Sequence, residues 1–476
     1  MPSPRHFIGR NRDLQRLWNH LNTVKFDGRG RLVSIRGRRQ AGKSRLVTEF
    51  ADRTTLPQLF FTGARLATQH DELRRFAAEA CQSTLPERSL FDGAAPENWS
   101  SILRLLASAL PDGPAVVVLD EFPWLLQSSP SLEGELQVAW DRLLEAKQVL
   151  VILIGSDISM MEALTTYERP LFGRVKEMVV NPFELGDTAQ MIATDDPALA
   201  IDAQLVTGGY PRICMEWHDA TSIGQFFSSQ FADENSVLID VGRNVLAAEF
   251  PPDLQATRVL SAIGAGARTN KEIGAHAGIQ ATPLARSLEV LKNSKRIVAA
   301  DSPVSARPRR DSRYRVADPH LRFWLRFVEP SLPDIARGRP DLAFGRIRAG
   351  WNGYRGVGVE PLVRASVERL AAADPDLADA SVIGGYWTRT NDLEVDLVGA
   401  DQWPGASRIP LVGSIKWREK QPFDRHDFME LAQAAALVPG ASKPKLIAVS
   451  RTPSITTGLD RVYSPADLVG AWTSAE

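Results

Sequence analysis

The octapeptide Gly37-Arg38-Arg39-Gln40-Ala41-Gly42-Lys43-Ser44 has the form G-x-x-x-x-G-K-[ST]. It lies between a β-branched run, Arg31-Leu32-Val33-Ser34-Ile35, and a helix opening over Lys43 to Phe50. Strand, glycine loop and helix in that order make a phosphate-binding loop. Gly37 and Gly42 let the backbone curl until successive amide N–H groups converge on a phosphate, aided by the positive end of the helix that follows. Lys43 is then placed for the β- and γ-phosphates, and Ser44, the first hydroxyl on the helix, for the Mg²⁺ that bridges them.

A second motif stands at the distance such a fold needs. Ala115-Val116-Val117-Val118-Leu119 is a continuous apolar run, which reads as a strand buried on both faces of a parallel sheet, and it ends in Asp120-Glu121. Adjacent carboxylates at the carboxyl edge of a sheet can divide the work: Asp120 holds the metal, and Glu121 polarises the attacking water. The interval between the motifs leaves room for one further βα unit. A third strand is expected at Val149-Leu150-Val151-Ile152-Leu153-Ile154, closing on Gly155-Ser156-Asp157, where Ser156 suits a polar sensor beside the γ-phosphate. From Glu133 to Ala146, Leu136, Ala139, Trp140, Leu143 and Leu144 recur at helical spacing. Strand and helix thus alternate as in a doubly wound sheet, whose right-handed crossovers bring the loops to one ligand-binding edge. Arg174, after Arg169-Pro170-Leu171-Phe172-Gly173, is a candidate phosphate contact in its own or a neighbouring subunit.

At 476 residues the chain exceeds the roughly 250 to 300 residues of a single core, so several domains are expected. Lys plus Arg number 56 against 57 Asp plus Glu, so any nucleic-acid-binding surface must be local. Cys81 and Cys214 are the only cysteines, far apart and without His or Cys at ligand spacing, which argues against disulfide scaffolds and zinc sites. Both read as buried small hydrophobes. No run approaches the 18 or so apolar residues of a membrane span, and the N-terminus has no apolar signal segment; a cytoplasmic protein is expected.

Several further segments resemble the archaeal-type ATPases of the AAA+ and STAND group. Phe7-Ile8-Gly9-Arg10-Asn11-Arg12-Asp13-Leu14 is similar to that family's N-terminal F-x-G-R-x-x-E-L box, with Asp13 in place of the Glu. The resemblance implies that Ile8, Gly9 and Arg10 flank an adenine, and so ATP rather than GTP. Gly155-Ser156, the stretch ending at Arg174, and Gly208-Gly209-Tyr210-Pro211-Arg212 continue it. The last is similar to the G-G-x-P signature of the family's helical lid, which implies that Pro211 and Arg212 report on the phosphates. The implied nucleotide-binding set is Ile8, Gly9, Arg10, Gly37, Arg38, Arg39, Gln40, Ala41, Gly42, Lys43, Ser44, Arg45, Ser156, Pro211 and Arg212, with Ser44 and Asp120 on the metal. Lys43, Glu121 and Arg174 are the candidate catalytic residues.

Beyond the lid, Ala256 to Ile263 reads as a short apolar helix. Thr269 caps a helix from Asn270 to Ala277 that Gly278 ends, and Thr282-Pro283 reads as a cap with proline at the first helical position. Leu284, Leu288 and Leu291 make one stripe, with Arg286, Glu289 and Lys292 opposite. Strands are expected at Arg296-Ile297-Val298 and Tyr314-Arg315-Val316. This is a winged helix-turn-helix pattern. Its basic loop, with Arg307, Arg309, Arg310 and Arg313, and its helix residues Arg286 and Lys292 are candidate contacts to double-stranded DNA. Leu321, Phe323, Trp324 and Phe327 fall at helical spacing and read as an aromatic junction, and 329–350, punctuated by Pro and Gly, reads as a linker.

From Gly356 onward the chain resembles a restriction-endonuclease-like fold. The resemblance implies a site from Glu360 on a helix, Asp396 on the strand Glu394 to Val398, and Lys416 on the strand Leu411 to Trp417. Ser414 stands where that pattern has an acid, and a neutral hydroxyl is a poor ligand for a hard cation. Glu430, on a helix from Asp427 to Leu437, is placed to supply a migrated acid. The expected module is an inactive or altered one.

The expected class is therefore α/β: a P-loop αβα core (1–186) with a helical lid (187–250), a winged helix-turn-helix domain (251–320), an aromatic junction and linker (321–350) and a nuclease-like α/β domain (351–476). The expected activity is Mg²⁺-dependent ATP hydrolysis as a switch acting on the later domains. Alternatives are a nucleotide-stabilised DNA-binding or interaction protein without turnover, and an ATP-regulated DNA nuclease. Duplex DNA, a protein partner or self-association are the expected partnerships.

Overall fold

A computed structural model describes residues 7–217, 220, 222–249, 254–307 and 311–473. The chain forms two compact units, Met1–Pro182 and Phe183–Glu476. None of its described helices is long and apolar enough to cross a membrane.

In the first unit, β1 (Arg31–Arg36), β2 (Gln58–Thr62), β3 (Ala115–Asp120), β4 (Val149–Gly155) and β5 (Val175–Val179) form one sheet of order β2-β3-β4-β1-β5. Every pairing in it is parallel. A parallel sheet must be covered on both faces, and the side chains obey the two-residue alternation of a strand. Leu32, Val117, Leu119, Val151 and Leu153 join Phe61, Phe76 and Trp99 in one core, while Val33, Ile35, Val116, Val118 and Ile152 join Leu17, Leu21 and Phe50 in the other. The Asn11–Asp27 helix reaches the second core with Leu14, Leu17, Leu21 and Val24, a single stripe at helical spacing. Between the two sequence motifs lie β2 and two α-helices, Gln69–Gln82 and Trp99–Ala109, where one βα unit was expected. The expected 133–146 helix is α-helical over Leu132–Ala139 and widens to a π-turn over Trp140–Leu144. Cys214 is buried as expected, but Cys81 is only half-buried.

The second unit begins with a helical run that includes Leu185–Ile192, Pro197–Thr207 and Val237–Glu249. The helices Leu254–Gly264, Asn270–Ala277 and Ala281–Glu289 follow, then the antiparallel pair β6 (Val298–Asp301) and β7 (Arg313–Val316). The last of these helices starts one residue before Thr282, with Gln280 as its cap, so Pro283 is its third residue.

The linker expected over 329–350 is instead folded. A 3₁₀ turn (Glu329–Ser331), a short helix (Leu332–Ala336) and a long one (Pro340–Gly358) occupy it. Ala343, Ile347 and Trp351 recur every four residues and are buried, and a Cβ on Gly350 would meet the Phe327 ring at 2.9 Å. That glycine serves close packing, not flexibility.

The chain ends in a mixed sheet of order β12-β11-β10-β9-β8: β8 (Val382–Trp387), β9 (Glu394–Ala400), β10 (Leu411–Lys416), β11 (Lys445–Ser450) and β12 (Arg461–Tyr463). β8, β9 and β10 pair antiparallel, whereas β10, β11 and β12 pair parallel. The core that runs from Phe183 to Trp351 is continuous through the helical segments. A second core joins Leu185, Ile201 and Leu205 to the terminal sheet.

Candidate functional site

The phosphate loop leaves β1 at Arg36, opposite Gly155 of β4, so the ends of β1, β3 and β4 share one edge of the sheet. Gly37 is required there: a Cβ on it would lie 2.0 Å from the Val180 carbonyl oxygen. Gln40 (φ 63°) and Gly42 (φ 89°) adopt the left-handed conformation that turns the loop into the helix Lys43–Thr54. Lys43 is 7% exposed, and its Nζ donates to the carbonyls of Gly37 (2.8 Å) and Arg38 (2.9 Å). Burial pulls its pKa down to about 8, against the opposing attraction of Glu121 and Asp120.

Asp120, at the end of β3, accepts a hydrogen bond from the Ser44 hydroxyl and another from the Glu121 amide (2.9 Å). Burial holds its pKa above the usual carboxylate range. Glu121 has a left-handed backbone (φ 51°), and Ser156 Oγ donates to its Oε2 at 3.3 Å. Burial and the neighbouring Asp120 raise its pKa. Lys43, Ser44, Asp120, Glu121 and Ser156 are thus brought together.

Arg10 was expected beside an adenine. Its guanidinium instead donates to the carbonyls of Ala41 and Asn181 (2.5 Å for the latter) and pairs with Asp13 at 3.1 Å, which ties the box to the phosphate loop. Gly9 and Arg10 are both left-handed, at φ 72° and 65°, and Ile8 is half-buried. Arg39 lies over the Trp124 ring at 5.8 Å, and Arg45 is exposed and pairs with Glu49. Arg36 was not singled out from the sequence. It pairs with Glu162 (2.8 Å) and Glu177 behind the loop, and its signal was a charged residue ending an apolar strand.

Arg174 does not belong to this site. It precedes β5, whose first residue Val175 is level with Leu32, whereas the loop leaves β1 four residues later at Arg36. At about 3.3 Å per residue, Arg174 is roughly 15 Å away along the strands, at the opposite edge of the sheet. Asp141 holds it there through two hydrogen bonds of 2.7 and 2.8 Å.

Residues 6–152 match the family model of the AAA ATPase domain. The amino-terminal part of this chain is an AAA ATPase domain. Residues 324–428 match the family described as archaeal and bacterial proteins of unknown function, DUF234. An uncharacterised protein of Methanocaldococcus jannaschii is 22% identical over 427 residues, covering 88% of this chain and 89% of its own. Among solved structures, the chain is similar to the Walker-type ATPase of Pyrococcus abyssi, with 18% identity, TM-score 0.49, and 68% of this chain and 97% of that one covered. It is also similar to the ORC1 protein of Aeropyrum pernix, solved in complex with DNA, with 16% identity, TM-score 0.36, and coverage of 71% and 96%.

The remaining candidates lie outside the AAA ATPase domain, in the second unit. Gly208 and Gly209 are left-handed, and a Cβ on Gly209 would lie 2.1 Å from the Phe183 carbonyl oxygen. Tyr210 is buried and donates to Asp318 at 2.7 Å, Pro211 opens the helix Pro211–Met215, and Arg212 is exposed.

Of the candidate DNA contacts, Arg286, Lys292 and Arg307 are exposed, while Arg309 and Arg310 lie outside the described residues. Arg313 is committed elsewhere: it pairs with Glu394, bonds Asn391 and stacks over Trp387 at 4.5 Å.

In the terminal domain, Arg364 stands between two of the nuclease-like candidates. It pairs with Glu360 (2.9 Å) and donates to the Asp396 carbonyl (2.9 Å). Asp396 Oδ2 accepts from the Ile415 amide (2.8 Å) and the Ser414 hydroxyl (3.1 Å), so Ser414 binds the carboxylate it would have accompanied. Lys416 pairs with Asp427 (3.4 Å) and Glu430 (3.6 Å). Among the described residues no group of three His, Cys, Asp or Glu side chains could hold a metal ion.

Proposed function

We propose that this protein binds ATP with Mg²⁺ and hydrolyses it, using the nucleotide state of the AAA ATPase domain to change what the second unit presents to a partner. The observation that carries this reading is the contact of the Ser44 hydroxyl with Asp120 at the same sheet edge where Ser156 orients Glu121. The residues fit a magnesium nucleotide. Lys43 is a buried cation whose Nζ donates to two loop carbonyls, and Gly37 leaves the loop without a side chain where one could not be accommodated. Ser44 and Asp120 would hold Mg²⁺, which when bound would supply charge neutralisation to the nucleotide phosphates. Lys43 binds those phosphates, Glu121 accepts the proton of the attacking water, and Ser156 keeps its carboxylate aimed. Arg10 holds the loop in its curled form through Ala41.

For that unit we infer duplex DNA as the partner, met by the exposed Arg286, Lys292 and Arg307 of a winged-helix segment. We assign no nuclease step, because Asp396 is bonded to Ser414 and Ile415 and an arginine separates it from Glu360.

The test is Mg²⁺-dependent phosphate release by wild type, Lys43→Ala and Glu121→Gln, with and without linear duplex DNA. Lys43→Ala should lose nucleotide binding. Glu121→Gln should keep binding and lose turnover by about 10²-fold or more. Turnover by Glu121→Gln equal to wild type, or none by wild type under either condition, would overturn the reading.

A further inference from the structure

A cavity of about 550 Å³ opens in the second unit, among β7, the helix Pro340–Gly358 and the start of the helix Glu360–Ala373. Its size falls within the roughly 300 to 1,000 Å³ of small-molecule sites. Among the described residues its cations are all arginine: Arg268, Arg313, Arg315, Arg322, Arg326 and Arg364. Against them stand Asp301 and Glu360 in the wall, and Glu394 beside Arg313. Burial raises the Glu360 pKa, which weakens the negative side further.

Four of the six arginines have a carboxylate within 4.0 Å. Among the described residues Arg322 and Arg326 make no such pair and are held by main-chain carbonyls. Arg322 donates to Val316 (3.2 Å) and to Gly358 (3.1 Å), the last residue of the Pro340–Gly358 helix. Arg326 donates to Ala265 (2.6 Å), which follows the Leu254–Gly264 helix. Helix carboxyl ends favour a cation and fix its position, but they do not neutralise a full charge. Both guanidinium groups are therefore anchored by carbonyls and not by a paired carboxylate, Arg322 feeling Asp301 and Glu360 only from beyond ion-pair distance, and a guanidinium fork matches two phosphate oxygens. Gly353 opens one wall, where an added Cβ would meet nothing within 4 Å, and Trp387 and Tyr314 provide flat aromatic surface beside the arginines.

We propose that this cavity binds a small ligand carrying two or more phosphate groups, of the nucleoside-polyphosphate class, at a site separate from the phosphate loop. The arginines could instead serve only as helix caps. A capping role predicts that a variant which keeps every cap leaves the surface unchanged toward phosphates, whereas the ligand site predicts a loss.

The test uses the full chain carrying Lys43→Ala, titrated calorimetrically with inorganic tripolyphosphate and with ATP in the absence of Mg²⁺. Saturable binding that weakens as salt rises is expected. Adding Gly353→Glu, which brings a carboxylate into the cavity and leaves the caps in place, should weaken it at least tenfold without moving the ligand-free melting temperature, and adding Arg326→Gln should weaken it at least tenfold as well. The proposal is overturned by no saturable binding in the Lys43→Ala chain, or by unchanged affinity in both added variants. It is equally overturned if a 5′-phosphorylated oligonucleotide binds while tripolyphosphate and ATP do not.

Discussion

Lys43 carries a charge into a place where little of it meets water, and its pKa of about 8 records the cost. The folded-state value lies below the unfolded one of 10.5, so between pH 8 and 10.5 the unfolded chain binds more protons and stability rises with pH. The stability of nucleotide-free wild type relative to Lys43→Met should therefore climb across that window, by on the order of 3 kcal/mol at most, in denaturant melts at stepped pH. Nucleotide affinity should move the opposite way, falling above pH 8 as the ammonium loses its proton. Arg174 gives a contrasting expectation. It is paired with Asp141 at the far edge of the sheet, so Arg174→Ala should leave the turnover of an isolated subunit within about twofold of wild type and cost about 1 kcal/mol or less. A large loss of turnover that appears only on self-association would place its action on a neighbouring subunit. The sequence named Lys43, Ser44, Asp120 and Glu121 because their spacing is local to two strand ends. It could not place Arg174, since an arginine in a loop says nothing about which edge of the sheet the loop meets.

Elements were legible where they are fully buried. β3 is apolar up to its terminal Asp120 and β4 is apolar throughout, as a strand covered on both faces must be. β2 and β5 escaped notice: each lies at an edge of the sheet, with exposed or half-buried residues among its five. The Pro340–Gly358 helix was hidden for another reason. Its glycines read as breaks, yet Gly350 packs against Phe327, and Ala343, Ile347 and Trp351 supply a buried stripe that a glycine count obscures. At the phosphate loop the glycine rule held, because Gly37 sits against the Val180 carbonyl. Gly37→Ala should push the loop from Val180, which follows β5, abolish ATP binding in a fluorescent-nucleotide titration and destabilise the first unit by roughly 1 to 3 kcal/mol.

On the scale of the whole molecule, the second unit is tied across long sequence distances. Asp202, on the helix Pro197–Thr207, is 2% exposed and meets Arg355 at 3.2 Å and Arg451 at 3.0 Å. Removing one partner of such a cluster strands buried charge, so Asp202→Ala should cost about 3 to 5 kcal/mol, and calorimetric melting should show the loss in the transition of the second unit. The expected partition into lid, winged helix, linker and nuclease-like domain followed local patterns, but cores that pass from Phe183 to Trp351 and from Leu185 to the terminal sheet make these segments one unit. The sequence by itself determined the phosphate loop, the acid pair and the parallel sheet around them, because each follows from short-range spacing and the two-residue period of a buried strand. Only the tertiary structure decided that Arg10 clamps the loop, that Arg174 stands at the opposite edge and that six arginines line one cavity. Those outcomes depend on contacts between residues far apart in the chain, Arg10 with Ala41 and Asn181, Arg174 with Asp141 and Arg313 with Glu394, and no local pattern encodes that.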